Sequence, residues 1–290
     1  MSENKDKVFS NTVINWYPGH MAKTKREIKE KLDLIDIVYE VIDSRMPISS
    51  RIADLDSLIG NKPRIMVFTK YDMCDRTITD NFIHEYEKSY KVVKTNLKEN
   101  SNITKELISK TEEILKPIND KRIAKGLNKR NYRVLVVGVP NVGKSTLINR
   151  LAGKNVQSTG NKAGVTKNIT WIKLNKDIEL MDTPGILWPK IDNQGIAYNL
   201  ASLTSIKEEI LNIDDIAIYI INTLYKYYPV ILKEKYGVEN IDDITEVLET
   251  IGRKRGCLMK GNIVDIDKVY TIIINDLKEG KIGKITFDRM

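Results

Sequence analysis

The chain has 290 residues, of which 41% are hydrophobic and 30% charged, the composition of an ordinary soluble protein with room for two domains. No apolar run approaches the roughly 18 residues that a membrane span requires, and the polar first ten residues carry no recognisable export signal. The two cysteines, Cys74 and Cys257, lack metal-ligand spacing and do not indicate disulfides. We expect a cytoplasmic monomer that does not associate with membranes.

The net charge of +8 is unevenly distributed along the chain. Residues 200–290 hold 13 basic and 15 acidic residues, which leaves 34 basic and 24 acidic residues in the first 199. The densest basic stretch is 116–133, with Lys116, Lys121, Arg122, Lys125, Lys129, Arg130 and Arg133 against Asp120 alone. This stretch is either a solvated linker or a surface that contacts the phosphate backbone of a nucleic acid, and composition does not decide between the two.

Six short apolar runs, rich in β-branched residues and bounded by polar or turn residues, predict buried strands. They lie at 35–42, 64–69, 91–95, 134–137, 170–174 and 178–181. Helical patterns separate most of them, for example at 81–90 and 144–151, and this alternation predicts an α/β fold with a doubly wound, mostly parallel six-stranded sheet. After about residue 195, apolar residues recur at helical spacing and the strand signal mostly disappears. We therefore predict an α/β domain at 1–194 and a small α-helical domain at 195–290.

A phosphate-binding loop is predicted at 138–145, which read Gly-Val-Pro-Asn-Val-Gly-Lys-Ser between a predicted strand and a predicted helix. The glycines allow the backbone to wrap closely, so that successive N–H groups and the positive end of the following helix face the phosphates. Lys144 is expected to reach the β- and γ-phosphates as a catalytic group, while the hydroxyl of Ser145 ligates Mg²⁺. The predicted nucleotide contacts of this segment are Asn141, Val142, Gly143, Lys144, Ser145 and Thr146.

The second phosphate-sensing element is the sequence Asp-Thr-Pro-Gly at 182–185, which follows a predicted strand. We expect Asp182 to hold Mg²⁺ through a water and the N–H of Gly185 to sense the γ-phosphate. Between the two elements, Thr166 lies in a polar loop and is the candidate switch residue that closes on Mg²⁺ when a γ-phosphate is present. The alternative for Thr166 is an ordinary surface threonine. The predicted switch segments are 158–168 and 182–189.

The residues that select the base are predicted at 69–72, where Thr-Lys-Tyr-Asp matches the [Asn/Thr]-Lys-x-Asp pattern of guanine-nucleotide-binding proteins. The carboxylate of Asp72 can accept hydrogen bonds from both N1–H and the N2 amino group of guanine. Adenine would leave the carboxylate unpaired, a difference that can discriminate by about 10⁴-fold. Lys70 is expected to lie along the base plane. Together with Thr69 at the end of the strand, these residues favour GTP and GDP over ATP as ligands.

The order of these elements is unusual, because the base-selecting motif precedes the phosphate loop instead of following it. A fold tolerates such a circular permutation, since the sheet needs only its strands in place. A supporting base loop is expected after the next strand at 95–97, with Asn96 as its candidate contact, although the usual Ser-Ala is missing there. In this order the segment after Gly185 leads directly into the predicted helical domain. A shift that follows the γ-phosphate is therefore expected to move that domain.

With these motifs in place, the chain resembles the ribosome biogenesis GTPase A family of circularly permuted, YlqF-type GTPases over nearly its whole length. The resemblance rests on the GTPase motifs and on four further segments: Asn-Trp-Tyr-Pro-Gly-His-Met-Ala-Lys at 15–23, Val-Ile-Asp-Ser-Arg-Met-Pro at 41–47, Leu-Met-Asp-Thr-Pro-Gly-Ile-Leu-Trp-Pro at 180–189 and Lys-Arg-Gly-Cys-Leu-Met at 254–259. It implies a GTPase that binds the immature large ribosomal subunit late in assembly and is activated by it. The 95–97 loop is where the chain departs most clearly from the family.

The position that often holds a water-orienting glutamine, directly after Asp-x-x-Gly, is Ile186, which can neither donate nor accept a hydrogen bond. Slow basal hydrolysis is therefore expected, with another group to position the water. Of the two histidines, His84 lies in a predicted helix, whereas His20 follows Pro-Gly in a predicted loop with basic neighbours. The resemblance favours His20 as the catalytic group, and an exposed histidine that contacts RNA is the alternative.

A monovalent cation is a further expectation, because no arginine finger is evident in the predicted switch segments. Asn141 is the residue type that helps to bind K⁺ in related GTPases, and K⁺ would supply positive charge at the developing transition state. The predicted cofactors are therefore Mg²⁺, bound by Ser145, Thr166 and Asp182, and K⁺, bound by Asn141.

Two functional classes stay open from the sequence alone. The first is a ribosome-assembly GTPase that contacts rRNA and ribosomal proteins, using its basic N-terminal part and the 116–133 stretch. The second is a nucleotide-dependent scaffold that recruits another assembly factor through its helical tail, with hydrolysis incidental. An ATP-using P-loop enzyme is opposed by Asp72 and by the lack of an adenine signature.

Overall fold

The computed structural model describes residues 19–99, 102–153, 169–174, 178–187, 191, 193–206 and 212–290, and all structural statements concern these ranges. The first predicted switch segment, 158–168, lies outside them, and Thr166 with it. Residues 188–189 of the second switch segment also lie outside. Within the described ranges, no helix combines the length and the apolar character needed to cross a bilayer.

Six strands form one sheet: β1 Ile37–Asp43, β2 Arg64–Thr69, β3 Lys91–Lys94, β4 Tyr132–Val137, β5 Thr170–Lys173 and β6 Ile178–Asp182. Their order is β3-β2-β1-β4-β6-β5, and all neighbours are parallel except β5, which runs antiparallel to β6. β1 and β2 are buried along their whole length, which explains why mostly apolar runs predicted them. The predicted α/β fold with a mostly parallel, six-stranded sheet is confirmed.

Ten α-helices and one 3₁₀ turn at Leu32–Leu34 accompany the strands in the described ranges. The helices are α1 Gly19–Lys31, α2 Leu55–Ile59, α3 Arg76–Glu87, α4 Ile103–Ala124, α5 Lys144–Ala152, α6 Gln194–Ser202, α7 Ile213–Tyr227, α8 Pro229–Tyr236, α9 Ile244–Arg255 and α10 Ile266–Glu279. Four of them begin after an Asp or Asn side chain that accepts a hydrogen bond from a first-turn N–H: Asp75, Asn193, Asp243 and Asp265. α7 ends shortly before Pro229, which opens α8 at a helical position that needs no N–H donor.

The helix predicted at 81–90 is observed as α3, which begins and ends earlier in the chain. Its start is set by Asp75, whose carboxylate accepts from the N–H of Thr77 at 3.0 Å. This capping interaction places the first turn ahead of the apolar pattern on which the prediction relied. His84 lies on the exposed face of α3, as expected for a structural or solvated histidine.

Buried apolar side chains form two large clusters, one around the sheet and one among α6–α10. Met46, in the loop after β1, belongs to the second cluster and is fully buried. Helix α6 contributes Leu200 to the first cluster and Ala201 to the second. Two cores exist, but adjacent residues of α6 pack into different ones. The domain boundary predicted at 194/195 therefore stays a prediction. We use "helical part" below for α6–α10 and the residues that follow them.

The last residues of the chain lie across the loop that follows β1. The carboxylate of Asp288 accepts hydrogen bonds from the N–H and the hydroxyl of Ser49 at 2.8 and 2.5 Å. The N–H of Phe287 donates to the carbonyl of Arg45 at 2.8 Å. All four of these residues are buried. The helical part is therefore packed directly against the edge of the sheet at which β1 ends.

Candidate nucleotide site

The predicted nucleotide-binding segments meet at one edge of the sheet. Because β1, β2, β3, β4 and β6 are parallel, the loops after their carboxyl ends all lie at this edge. The phosphate loop follows β4, which lies between β1 and β6 in the sheet. The strand order changes direction between β1 and β4, and ligands of open α/β sheets bind at such a switch point. The fold thus gathers 69–72, 95–97, 138–145 and 182–185, which are widely separated in the chain.

The phosphate loop runs from the end of β4 into the first turn of α5. Gly143, at the N-cap of α5, has a φ of 99°, a conformation that glycine adopts without strain, and Asn141 has a φ of 63°. The ammonium group of Lys144 is buried and donates to the carbonyl oxygens of Gly138 and Val139 at 3.0 and 2.7 Å. Lys144 therefore lies within the turn of the loop, where it can reach the phosphates of a bound nucleotide.

Asp182, the last residue of β6, indicates a cation at this edge. Its side chain is fully buried, and neither carboxylate oxygen has a hydrogen-bond partner among the described residues. Burial raises the pKa of Asp182 and lowers the pKa of Lys144, because each charge is removed from water, and the attraction between the two groups opposes both shifts. A buried carboxylate without partners is costly, so the site fits a bound cation.

Mg²⁺ fits this set of donors, because it takes oxygen ligands and usually completes its shell with waters and substrate phosphates. Asp182 and the hydroxyl of Ser145, in the first turn of α5, are the described residues that would hold it. The ion would neutralise charge on the β- and γ-phosphates. No group of three or more His, Cys, Asp or Glu side chains in the described ranges could hold a metal by itself. Thr166, the third predicted ligand, lies outside those ranges.

The residues after Asp182 pack directly onto the phosphate loop. A Cβ at Gly185 would lie 2.8 Å from the Cα of Pro140, so only glycine allows this close approach. The N–H of Ile186 donates to the carbonyl of Gly138 at 3.1 Å, and the Ile186 side chain is fully buried in the core around the sheet. The residue at the usual glutamine position is therefore a packing residue that cannot orient a water.

The base-selecting motif contacts the phosphate loop directly. The hydroxyl of Thr69 donates to the carbonyl of Val142 at 2.6 Å, and the ammonium group of Lys70 donates to the carbonyl of Asn141 at 2.8 Å. One carboxylate oxygen of Asp72, Oδ1, is buried and has no hydrogen-bond partner in the described part of the chain. An acceptor in that state fits the N1–H and N2 amino donors of guanine.

The loop after β3 lies beside the base-selecting motif, as predicted. The carbonyl of Thr95 accepts from the N–H of Tyr71 at 3.3 Å, and the hydroxyl of Thr95 is buried with no partner among the described residues. The side-chain oxygen of Asn96 accepts from the N–H of Lys98 at 3.0 Å, so it is engaged within its own turn. A contact between Asn96 and the base stays a prediction. The Thr95 hydroxyl is a second polar group in the predicted loop, for which the sequence pattern indicated only Asn96 as the contact.

Sequence patterns also assigned no role to Thr204, which lies after α6. The side-chain nitrogen of Asn141 donates to the carbonyl and the hydroxyl of Thr204 at 2.7 and 2.9 Å. Thr204 has a φ of 51°, an outlier for a β-branched residue of the kind found at ligand-binding and switch regions. A turn of the helical part therefore touches the phosphate loop, and a positive φ at threonine has no sequence signature that could have shown it.

Sequence patterns also assign no role to Asp43 and Arg45. They form a buried ion pair at the end of β1, and Asp43 also accepts from Lys70. Both belong to a segment that carried the family resemblance, but neither was given a role. The signal in the sequence is a charged pair at the carboxyl end of a buried strand, at the edge where the nucleotide loops are expected.

His20 lies at the second position of α1, which begins at Gly19, and not in the predicted loop. Two ion pairs between residues one helical turn apart, Lys23 with Glu27 and Arg26 with Glu30, favour the helix. The side chain of His20 is outside what the structure describes, so its role stays a prediction.

This arrangement defines a class of protein. The phosphate site of a P-loop GTPase combines a glycine-rich loop between a parallel strand and a helix, a buried lysine in that loop and an aspartate at the end of the neighbouring strand. All three are present here, and the aspartate, Asp182, has no hydrogen-bond partner within the described part of the chain. A guanine-type motif packs against the same loop from a strand that comes earlier in the chain. The chain is a circularly permuted P-loop GTPase.

Comparisons with known proteins agree with this class. A family described as 50S ribosome-binding GTPase matches residues 133–260. The chain is 45% identical to ribosome biogenesis GTPase A of Bacillus cereus, over 95% of this chain and 94% of the relative, and 44% identical to that of Priestia megaterium, over 95% and 96%. A GDP-bound YlqF structure and a GNP-bound one from T. maritima each match with a TM-score of 0.63 at 29% identity, covering 91% and 92% of this chain and 99% and 98% of theirs.

The chain therefore belongs to the ribosome biogenesis GTPase A family. It is a GTP-binding and GTP-hydrolysing protein of ribosome biogenesis, and GTPases of this family normally use Mg²⁺. The prediction of a guanine-nucleotide enzyme over an ATP-using one is thereby confirmed.

Replacing Asp72 by asparagine tests the assignment of base selection. Asp72→Asn presents an amide N–H where the carboxylate would accept, so the affinity for GTP and GDP should fall by at least about 100-fold. Xanthosine triphosphate carries a carbonyl in place of the guanine amino group, and it should bind this variant better than it binds the unsubstituted protein. Titrations with fluorescent guanine and xanthine nucleotides measure both changes.

Asp75→Asn is the matched control for this test. Asparagine caps a helix about as well as aspartate, so α3 should keep its start and the affinity for GDP should change by less than about twofold. An affinity of Asp72→Asn for GDP equal to that of the control would contradict the assignment.

Proposed function

We propose that the protein is a GTPase assembly factor that acts on the large ribosomal subunit late in its maturation, as a monomer in the cytoplasm. The observation that carries the proposal is the match of 133–260, which includes the phosphate loop and Asp182, to a family described as 50S ribosome-binding GTPase. The ligands are GTP and GDP, consistent with the GDP and GNP bound in the two YlqF structures. Intrinsic hydrolysis is slow, because Ile186 cannot orient a water, and the particle accelerates it.

Contact with rRNA is supported by the surface of the 116–133 stretch. Two of its arginines are neutralised within the fold, Arg130 by Asp36 and Arg133 by Glu179. Four lysines are exposed and have no carboxylate partner in the described ranges: Lys116, Lys121, Lys125 and Lys129. Part of the stretch is the end of α4, which argues against a plain linker. Exposed, unpaired lysines are available to phosphate oxygens, so a nucleic-acid surface is the favoured interpretation.

Co-sedimentation with purified large subunits, in GTP, GDP and a non-hydrolysable GTP analogue, tests the proposal together with GTPase assays. We expect co-sedimentation to be strongest with the analogue, and turnover to rise by at least about tenfold when large subunits are added. Purified small subunits are the matched control and should produce neither effect.

The outcomes separate the proposal from the scaffold alternative. Nucleotide-dependent binding without any rise in turnover would favour a scaffold that recruits another factor. Absence of binding in every nucleotide state would contradict action on the large subunit.

We propose further that His20 orients the attacking water once the particle is bound. The buried Ile186 leaves this role unfilled at the usual position, and an imidazole can accept a hydrogen bond or a proton from water. Lys144 serves as the other catalytic group by stabilising charge on the phosphates.

His20→Ala should abolish the particle-stimulated part of turnover while the affinity for GTP changes by less than about twofold, because the histidine acts on the water and not on the nucleotide. Single-turnover hydrolysis with saturating large subunits measures the first effect, and nucleotide titration the second. His84→Ala is the matched control, since His84 is exposed on α3, and it should change neither quantity. Normal stimulated turnover in His20→Ala would refute the role, and loss of co-sedimentation would favour an RNA contact instead.

A K⁺ site at Asn141 is part of the same proposal. The side-chain nitrogen of Asn141 is held by Thr204, so the side-chain oxygen Oδ1 is the atom that would ligate the ion. The ion would add positive charge near the phosphates, beside that of Lys144 in the same loop.

Exchange of K⁺ for Na⁺ at constant ionic strength should slow GTP turnover by at least about tenfold, since Na⁺ is too small for the same ligands. Asn141→Ala should remove the difference between the two cations. Thr204→Ala, which keeps Oδ1 of Asn141 in the protein, should retain it. Equal turnover of the unsubstituted protein in K⁺ and Na⁺ would refute the site.

A further inference from the structure

The end of β1 and the loop that follows it carry a buried ion pair outside the nucleotide-binding motifs. Asp43 and Arg45 are 0% and 1% exposed, and Arg45 donates to both carboxylate oxygens of Asp43, through Nε at 2.9 Å and a terminal nitrogen at 2.8 Å. Burial acts to raise the pKa of Asp43, but the charges of Arg45 and Lys70 outweigh it and hold the pKa below its usual range. Asp43 is thus a carboxylate in a dry site, where charge-assisted hydrogen bonds are strong.

Lys70 connects this pair to the nucleotide site. Its ammonium group donates to Oδ2 of Asp43 at 2.8 Å and to the carbonyl of Asn141 in the phosphate loop at 2.8 Å. Its backbone has a φ of 54°, uncommon for any residue other than glycine. Asp43 therefore helps to hold Lys70 in an unusual conformation between the base-selecting motif and the phosphate loop. Any displacement of Asp43 would be transmitted to both.

Arg45 connects the pair to the helical part. The other terminal nitrogen of its guanidinium donates to the carbonyl of Leu277, in the last turn of α10. The carbonyl of Leu277 also accepts from the N–H of Gly280, and it lies at the negative dipole end of α10, where a buried cation is favourable. The carbonyl of Arg45 accepts from the N–H of Phe287, and its neighbour Met46 lies in the core of the helical part. The position of Arg45 thus depends on whether α10 is docked.

Met73, the residue after the base-selecting motif, makes the same connection independently. Its side chain fills the space beside Gly280, at the end of α10, where an added Cβ would lie 2.9 Å from Met73 Cγ. Its carbonyl accepts from the N–H of Ile285 at 3.2 Å. The end of α10 and the residues after it therefore contact the residue that directly follows the base-selecting motif, while Arg45 reaches Lys70 of the motif through Asp43.

We propose that Arg45 is a positioning residue of the guanine site, which couples the docking of α10 to the geometry of Lys70 and the phosphate loop. Because such coupling is reciprocal, a bound guanine nucleotide stabilises the docked end of α10, and undocking of α10 weakens nucleotide binding. The connection does not pass through Gly185 or the switch segments. It therefore responds to the presence of a guanine nucleotide, whether or not a γ-phosphate is attached.

Substitution of Arg45 tests the affinity half of this coupling without any ribosomal component. Arg45→Gln should weaken GDP binding by about tenfold, and Arg45→Lys, which keeps the charge but not the fork geometry, should recover part of the loss. Arg64→Gln is the matched control, because Arg64 is also buried and ion-paired, to Glu40, but lies at the opposite end of β2. Its affinity for GDP should stay within about twofold of the unsubstituted protein.

Hydrogen exchange at the backbone amides of Ile285 and Phe287 tests whether a bound nucleotide stabilises the docked end of α10. If the role of Arg45 were purely structural, its substitution would leave the effect of nucleotide on this exchange unchanged. GDP and a non-hydrolysable GTP analogue should slow exchange at both amides alike in the unsubstituted protein and in Arg64→Gln. In Arg45→Gln the slowing should be lost at saturating nucleotide.

Two results would overturn the proposal. One is an equal affinity for GDP in Arg45→Gln and Arg64→Gln, and the other is exchange at both amides that does not respond to GDP in the unsubstituted protein. If Arg45→Gln does not fold, Arg45→Lys replaces it with an expected loss of about threefold, and an affinity equal to that of the control overturns the proposal in the same way.

Discussion

One ammonium group joins the two halves of the nucleotide site. Lys70 donates to the carboxylate of Asp43 at the end of β1 and to the carbonyl of Asn141 in the phosphate loop, and Thr69 adds a second bond to the same loop. The base-selecting motif and the phosphate loop come from strands that are distant in sequence, so these bonds set the distance between the two ends of a bound nucleotide. Within the described ranges, Oδ1 of Asp72 and both carboxylate oxygens of Asp182 lack hydrogen-bond partners, and that fixed distance lets the first serve the base while the second serves the phosphate side.

The permuted order of the motifs has a simple physical basis. In a parallel sheet every strand presents its carboxyl end to the same edge, so the loops that build the site meet there whatever the order in which the chain visits the strands. What permutation changes is the set of neighbours along the chain. Here the base-selecting motif runs into α3, and the phosphate-sensing segment runs towards α6. The structure adds contacts that the chain order did not suggest. The helical part touches the phosphate loop through Thr204, and it touches Met73, the residue directly after the base-selecting motif.

Much of the fold and of the site could be predicted from the sequence because those features leave local patterns. Strands buried on both faces read as apolar runs, and the phosphate loop has fixed glycine positions. The features that could not be predicted from the sequence also have physical causes. The start of α3 is set by a single capping aspartate, Asp75, and not by periodicity. The buried pair of Asp43 and Arg45 depends on a carbonyl more than 200 residues away in the chain, and no local pattern encodes such a contact. The unusual backbone of Thr204 is likewise imposed by its surroundings.

The burial of Met46 bears on whether the helical part can be separated from the rest of the protein. A methionine from the first crossover of the sheet completes the core among α6–α10, and one helix, α6, supplies side chains to both cores. A chain segment that carried only those helices would fold around a missing side chain, a defect that ordinarily costs about 2–5 kcal/mol. The loop after β1 and helix α6 therefore connect the two cores through shared packing. Exchange of the helical part between relatives would have to carry the loop after β1 along with it.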